Sequence, residues 1–381
     1  MDSTLAFLRD LVAIDSVNPS LVPGAAGEWT IANRIAAEMH RVGLENVRLT
    51  EVAPHRPNVV GVLVGAKPGR TLMLCGHMDT VGVTGMTAPF DPQERDGRLF
   101  GRGAQDMKGG VAAMVGAAAA LTDAGGLPAG RLVVAAVADE EYASLGAEVL
   151  ALDCDADGAV VTEPTDLAIA IGHKGFAWVD VEVRGRAAHG SRPGDGRDAI
   201  AHMGRVLSGL ESLDSHLQAR AAHPLLGTPS VHASTIHGGG ERSVYPARCS
   251  MSLERRTVVG EPEGIALTEV EAILERLRRE DQEFEAAATL TLERPAYELD
   301  AGHPLPQALQ SVAVAHGWSP VVTGMSFWTD AAVLDQAGIP SVLFGPRGGG
   351  LHGPDEYVEL STVVACRDAL TELARVFCAG P

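Results

Sequence analysis

Lysine is almost missing from this chain of 381 residues: it occurs only at Lys67, Lys108 and Lys174, while arginine is plentiful. The skew reads as lineage bias in composition before it reads as function. Acidic residues outnumber basic ones, 49 to 30, for a net charge of −19. That excludes nucleic acid or an anionic membrane surface as the main partner. The five cysteines, Cys75, Cys154, Cys249, Cys366 and Cys378, are odd in number and widely spaced, and no C-x-x-C occurs. A disulfide framework is excluded, and reduced thiols in a cytoplasmic protein are expected. The most apolar stretch, Val111 to Leu121, is alanine-rich and too short to span a bilayer. Met1-Asp2-Ser3-Thr4-Leu5 has neither the basic start nor the apolar core of a signal peptide. What is there is an ordinary globular composition, 46% hydrophobic and 21% charged, long enough for about two or three domains.

Helical and strand signals alternate through the first half of the chain. Leu5, Leu8, Leu11 and Val12 recur at helical spacing, and a second helix is expected from Glu28 to Val42, closed by Gly43. Strands are expected at Val47–Val52, Asn58–Val64, Thr71–Cys75, Arg131–Ala138 and Ala159–Val161. Several are continuous apolar runs, as in strands buried on both faces of a parallel sheet. From Phe176 the pattern changes to one-sided alternation. A β-α-β-β-α-β order follows as far as Leu292, which describes an inserted ferredoxin-like domain over residues 175–293. The first character resumes at about Arg294, with helices at Leu305–Gly317 and Asp330–Gly338 and strands at Pro320–Val322 and Ser341–Phe344. Residues 1–174 and 294–381 then form one domain.

The strands end alike. Thr71–Cys75 runs into Gly76-His77-Met78-Asp79, Arg131–Ala138 into Asp139-Glu140-Glu141, and Ala159–Val161 into Thr162-Glu163-Pro164. Ser341–Phe344 leads through a glycine-rich stretch to His352. Asp106 sits among glycines at the start of a helix, in Gly101-Arg102-Gly103-Ala104-Gln105-Asp106-Met107-Lys108-Gly109-Gly110. A nucleotide fingerprint is excluded there, because a carboxylate occupies the last glycine position and no strand precedes the loop correctly. Ligands of open α/β sheets gather at the carboxyl ends of the strands. Carboxylates crowded at one sheet edge repel unless cations neutralise them. Imidazole with carboxylate suits Zn²⁺, with Co²⁺ or Mn²⁺ as alternatives. A pair of Zn²⁺ ions fits His77, Asp106, Glu141, Glu163 and His352: three carboxylates and a bridging hydroxide balance the charge. Glu140 is left over as a general base, and Asp79 as the group that orients His77.

Together, His77-x-Asp79, the Asp106 segment, Glu140-Glu141, Glu163-Pro164 and the late His352 resemble the two-zinc peptidases and deacylases. That family includes acetylornithine deacetylase, succinyl-diaminopimelate desuccinylase, aminoacylase and glutamate carboxypeptidase. The resemblance covers nearly the whole chain. It implies a zinc-peptidase-like α/β catalytic domain with a mostly parallel sheet, and an inserted dimerisation and lid domain. It implies that His77 and Glu163 hold one zinc, Glu141 and His352 the other, and that Asp106 bridges. It also implies a cis peptide at Asp106-Met107. The segment Arg186-Ala187-Ala188-His189-Gly190-Ser191 resembles one whose histidine reaches the active site of the partner subunit and supports the oxyanion, so a homodimer is expected. Glu254-Arg255-Arg256 resembles a segment whose final arginine grips a substrate carboxylate, with Gly345 and its neighbours offering backbone N–H groups to the same carboxylate. Thr329-Asp330-Ala331 resembles a segment near the substrate pocket. Two departures stand near the substrate-binding part: Ser243 where many relatives have asparagine, and Glu254 where an aspartate is common.

The function implied is metal-dependent hydrolysis of the amide bond of a small N-acyl amino acid, by a metal-bridging hydroxide with Glu140 as general base and acid. A dipeptidase or glutamate carboxypeptidase is the alternative within the class, and a dipeptide the alternative substrate. A non-catalytic metal-dependent binder would retain the ligands without turnover. A serine hydrolase is disfavoured, because Ser326 in Gly324-Met325-Ser326-Phe327-Trp328 lacks the second glycine of a nucleophile elbow.

Overall fold

The computed structural model describes residues 2–380. They divide into two compact units. The first comprises residues up to Ile171, Leu299–Thr323 and the chain from Thr329 onward; the second comprises Gly172–Glu298 and Gly324–Trp328.

In the first unit the strands lie side by side in the order Glu45–Ala53, Arg56–Val64, Arg131–Val137, Thr71–His77, Gly158–Val161, Ser341–Leu343 and Ile169–His173, the last two residues of which are counted with the second unit. The four from Arg131–Val137 to Ser341–Leu343 are mutually parallel; Arg56–Val64 and Ile169–His173, on either side, run antiparallel to them, and Glu45–Ala53 is antiparallel to Arg56–Val64. The parallel strands are almost wholly buried, which is why they read as unbroken apolar runs. Register brings their exits level: His77 pairs with Val137, and Cys75 and Leu343 both pair with Val161. The helix Gly109–Asp123 is apolar on all sides and buried over most of its length. It packs between the helices Ser3–Val12 and Leu360–Cys378, so it has no solvent face to mark with polar residues. A polar helix start at Asp2, whose carboxylate caps Thr4 and Leu5, explains why the first helix begins before its first leucine.

Several short strands differ from the sequence reading. Ile169–His173 is a buried strand too short, and too close to its closing glycine and histidine, to mark itself in the sequence. The strand expected at Pro320–Val322 forms at Val322–Met325 instead. Gln93–Arg95, Arg98–Phe100, Gly348–Gly349 and Tyr357–Glu359 build a second small sheet, too short and too exposed to leave a hydrophobic period. It matters for the site, because His352 lies in the loop between its last two strands.

The second unit is an antiparallel sheet in the order Ser230–Gly238, Arg248–Thr257, Gly175–Arg184, Glu285–Arg294. Its helices Ala199–Gln218 and Ile265–Glu280 share one apolar core with Val179, Val181, Val183, Met251 and Leu253. In chain order this is β-α-β-β-α-β. The unit runs slightly wider than the expected 175–293 and includes Gly324–Trp328. That segment is held by Lys174 N–H donating to the Met325 carbonyl, by Trp328 Nε1–H donating to the Pro295 carbonyl, and by the Trp328 ring meeting His173 and Phe176.

Candidate active site

The strand Arg131–Val137 ends in a tight turn. Asp139 has φ +70°, and its carbonyl accepts the N–H groups of Ala143 and Ser144. This leaves the N–H groups of Glu140 and Glu141 without a local acceptor. Asp79, at the exit of the neighbouring strand, supplies one: its carboxylate accepts both, each at 3.2 Å. Glu140 and Glu141 are therefore held by the same residue although their side chains diverge.

Asp106 stands opposite. Its segment Ala104–Lys108 leaves helical geometry at Asp106 and Met107, and the peptide between these two is cis. One Asp106 oxygen lies 3.0 Å from His77 Nε2, and the other 3.1 Å from His352 Nε2. Glu141 Oε2 is 3.3 Å from the same His352 nitrogen. Glu163 Oε1 and Glu140 Oε2 are each 3.9 Å from His77 Nε2. Two sets of ligand atoms, His77-Asp106-Glu163 and Asp106-Glu141-His352, each lie within 4.8 Å of one another and share Asp106. Donors about 2.0–2.2 Å from one tetrahedral ion would be separated by roughly 3–4 Å, so each set has the span of a single site.

Electrostatics make the same case. Among the described residues no lysine or arginine pairs with Glu140, Glu141 or Glu163. Burial, reinforced by the other carboxylates, pushes Glu140 and Glu163 well above the usual carboxylate range and Glu141 to about 7. Asp106 moves the other way: burial opposes its charge, but its two imidazole partners hold it below the usual range. Hydrogen bonds to Asp106 and Glu141 raise His352 to about 10. Burial works against a proton on His77, yet Asp106, Glu140 and Glu163 raise it well above the ordinary value. Glu141 Oε1 and Glu163 Oε1 are buried without a hydrogen-bond partner. Unpartnered carboxylate oxygens facing imidazoles, with no side-chain cation of their own, are the donor set that a divalent cation completes.

The chain resembles known proteins over its whole length. The model of peptidase family M20/M25/M40 matches residues 73–376. An acetylornithine deacetylase of Myxococcus xanthus is 31% identical over 395 residues, covering 100% of both chains. The chain belongs to peptidase family M20/M25/M40.

It is accordingly a hydrolase of the metallopeptidase or deacylase kind. Two solved structures share the fold of this M20-family chain. A tripeptidase of Staphylococcus aureus superposes with a TM-score of 0.82 at 21% identity, covering 98% of each chain. A dinuclear metal-binding M20 peptidase of Bacillus subtilis superposes with a TM-score of 0.74 at 16% identity, covering 100% of this chain and 98% of that one.

Two expectations for individual residues change. Asp79 was expected to orient His77, and the contact is made by its backbone rather than its side chain. Its carboxylate oxygen is 3.7 Å from His77 Nδ1, whereas the Asp79 backbone carbonyl is at 2.9 Å. The carboxylate is taken up by the N–H groups of Glu140 and Glu141 and by Asn18 Nδ2 at 2.7 Å. Gly345 was expected to offer its N–H to a substrate. That N–H instead donates to Thr165 Oγ1, at 3.1 Å. A Cβ at Gly345 would stand 2.2 Å from the Glu163 carbonyl oxygen, so the glycine lets this segment lie against the Glu163 backbone.

His189, Ser243 and Arg256 belong to the second unit. There the structure brings His189 and Ser243 together. The two exposed loops pair, with Gly190 N–H donating to the Ser243 carbonyl at 2.7 Å, and His189 Nδ1 lies 2.8 Å from Ser191 Oγ. Arg256 is partly exposed, forked onto both carboxylate oxygens of Glu254 and stacked over Phe176. Its neighbour Arg255 points the opposite way and is buried against Glu261 and Glu269.

Sequence reasoning missed the support beneath the site in the first unit. Arg56 pairs with Glu28 at 2.5 Å and with Asp139 at 2.8 Å, and Asn18 Nδ2 reaches both Asp79 and Asp139. All five residues are buried. Asn18 reads in the sequence only as the residue before a proline, and Arg56 as a polar start to a strand. The one available signal was Asp139, a third acid in the turn with no ligand role.

Proposed function

We propose that this M20-family chain is a metal-dependent amidohydrolase that removes the acyl group from an N-acyl amino acid, in the manner of acetylornithine deacetylase. One observation carries the chemistry: Glu140 stands beside two ligand sets that share Asp106, in a turn fixed by Asp79. The full-length likeness to a deacetylase at 31% identity supports the substrate class.

In this reading His77, Asp106 and Glu163 hold one cation, and Asp106, Glu141 and His352 the other; the donor set suits Zn²⁺, with Co²⁺ or Mn²⁺ as alternatives. When bound, the ions polarise the scissile carbonyl and acidify the attacking water. Glu140 accepts the proton from that water and delivers it to the departing amine. Asp79 keeps Glu140 and Glu141 in their separate directions. His189, supplied by a second copy of the chain in a homodimer, donates a hydrogen bond to the carbonyl oxygen as it gains charge. Arg256 binds the substrate carboxylate, exchanging one anionic partner, Glu254, for another.

A panel of N-acetyl amino acids and dipeptides, assayed with and without a chelator, tests the reading. Turnover of an N-acyl amino acid, abolished by the chelator and lost in Glu140→Gln with its metal retained, is the expected result. Turnover of dipeptides alone would reassign the chain to the peptidase side. Bound metal with no turnover of either class would make it a binder. Full activity in Glu140→Gln would remove the proposed base, and a fully active monomer would remove the role of His189.

A further inference from the structure

Four residues after His352, Glu356 is buried to 1% and points at the backbone of the Asp106 turn. Its Oε1 accepts the N–H groups of Gln105 at 3.0 Å and Asp106 at 3.2 Å. Its Oε2 accepts the N–H of Gly103 at 3.1 Å and an Arg102 guanidinium N–H at 2.5 Å. The Glu356 carbonyl also accepts the N–H of Gly101. Arg102 is itself buried to 1%. Its remaining donors go to the His352 carbonyl at 3.3 Å and the Gly82 carbonyl at 3.1 Å. One buried carboxylate therefore collects three successive-turn N–H groups, and one buried guanidinium joins that carboxylate to the backbone of His352.

Such an arrangement is more than a satisfied ion pair. A glycine-rich turn that leaves helical geometry at Asp106 points several N–H groups the same way without a local acceptor, and Glu356 is the acceptor. The two ligand sets do not depend on it equally. His77 and Glu163 lie at the exits of adjacent parallel strands, and His77 is buried to 1%. His352 has a half-exposed side chain on a loop and takes φ +57°. Its backbone is fixed to the Asp106 turn through Arg102 and Glu356.

We propose that Glu356 and Arg102 are positioning residues for the Asp106-Glu141-His352 set: they hold the loop bearing His352 at the distance from Asp106 at which both reach one cation. The proposal rests on the reading of the two sets as cation sites. Its signature is asymmetry, because weakening the clamp frees His352 while His77 and Glu163 stay on their strands.

The test titrates metal-free protein with Co²⁺ in a chelator-competition assay, following both equivalents, for the natural chain, Glu356→Gln and Arg102→Lys. Glu356→Gln keeps the shape and one accepting oxygen, loses the charge and turns the second oxygen into an NH2 that faces N–H donors; Arg102→Lys keeps the charge and loses the fork to the His352 carbonyl. The expected result is an affinity loss of about 10- to 100-fold at one equivalent and little change at the other in Arg102→Lys; Glu356→Gln, which also loosens the backbone of the shared Asp106, should weaken both equivalents, the same one more. A folded Glu356→Gln or Arg102→Lys that binds both equivalents as tightly as the natural chain overturns the positioning role, as does equal weakening of both. If Glu356→Gln does not fold, Arg102→Lys decides by the same criterion. A natural chain that binds no Co²⁺ would overturn the cation-site reading itself and the proposal with it. Two tight equivalents in the natural chain with no asymmetry in the variants would overturn the proposal alone.

Discussion

Replacing Arg56 by methionine should destabilise the first unit more than any surface substitution. Arg56 is the only side-chain cation paired to Glu28 and Asp139 among the described residues. Both carboxylates are 0% exposed at the side chain, and Arg56 is 7% exposed. Burial raises Glu28, and burial opposes the charge on Arg56, but Glu28 and Asp139 hold the guanidinium above its ordinary value. Removing the cation leaves two buried carboxylates facing Asp79, and breaking a buried pair from one side costs about 3–5 kcal/mol. At about 2–4 °C per kcal/mol for a unit of this size, the melting temperature should fall on the order of 10 °C. Differential scanning calorimetry of Arg56→Met reads this directly. The double variant Arg56→Met/Glu28→Met should recover part of the loss, because it removes one stranded charge and refills the space with apolar atoms. Recovery should be incomplete, since Asp139 keeps its own charge and loses the Glu28 oxygen that accepts its N–H. A single variant that melts within about 2 °C of the natural chain would refute the reasoning. So would a double variant that is worse than the two singles combined, because the pair would then not be coupled as its geometry requires.

Other expectations follow from the same structure. Glu141→Ala should lose metal, read by elemental analysis of the purified protein, whereas Glu140→Ala should keep it and lose turnover; equal metal content in both would contradict their different roles. His173 is buried, its Nε2 has no hydrogen-bond partner among the described residues, and burial lowers it to about 4. In the unfolded chain a histidine takes up its proton near pH 6.5, while in the fold it does so only near 4. This contribution to stability is therefore present above about pH 6.5 and is lost as the pH falls through that window, by about 3 kcal/mol in all. Denaturation measured from pH 7 to 4 should show a shallower acid slope in His173→Phe, and an unchanged slope would refute the assignment.

Much of the candidate site was legible because each candidate ligand and its strand lie next to each other in the chain. A strand buried on both faces is an unbroken apolar run, and the residue that follows it emerges at the sheet edge. His77, Glu140, Glu141 and Glu163 could be found that way. Asp106 stood out as a carboxylate among glycines. The second unit was legible from its alternating strands, since one face meets its helices and the other does not. Short polar strands such as Gln93–Arg95 carry no such period and were invisible.

The sequence by itself determined which residue types stand at the strand exits, and hence the chemistry open to them. It could not assign the jobs of residues whose partners are far away along the chain. Asp79 read as the support of His77; in the fold its backbone carbonyl meets His77, and its carboxylate goes to the turn of Glu140 and Glu141. Gly345 read as a donor to substrate, and folding pressed it against the Glu163 backbone. Glu356 and Arg56 gave no local signal at all, because the N–H groups and carboxylates they satisfy converge only when the sheet and its loops are assembled. A strand exit is a local property of the chain, but an unpaired buried donor or charge exists only in the folded protein, and its partner is settled there by distance.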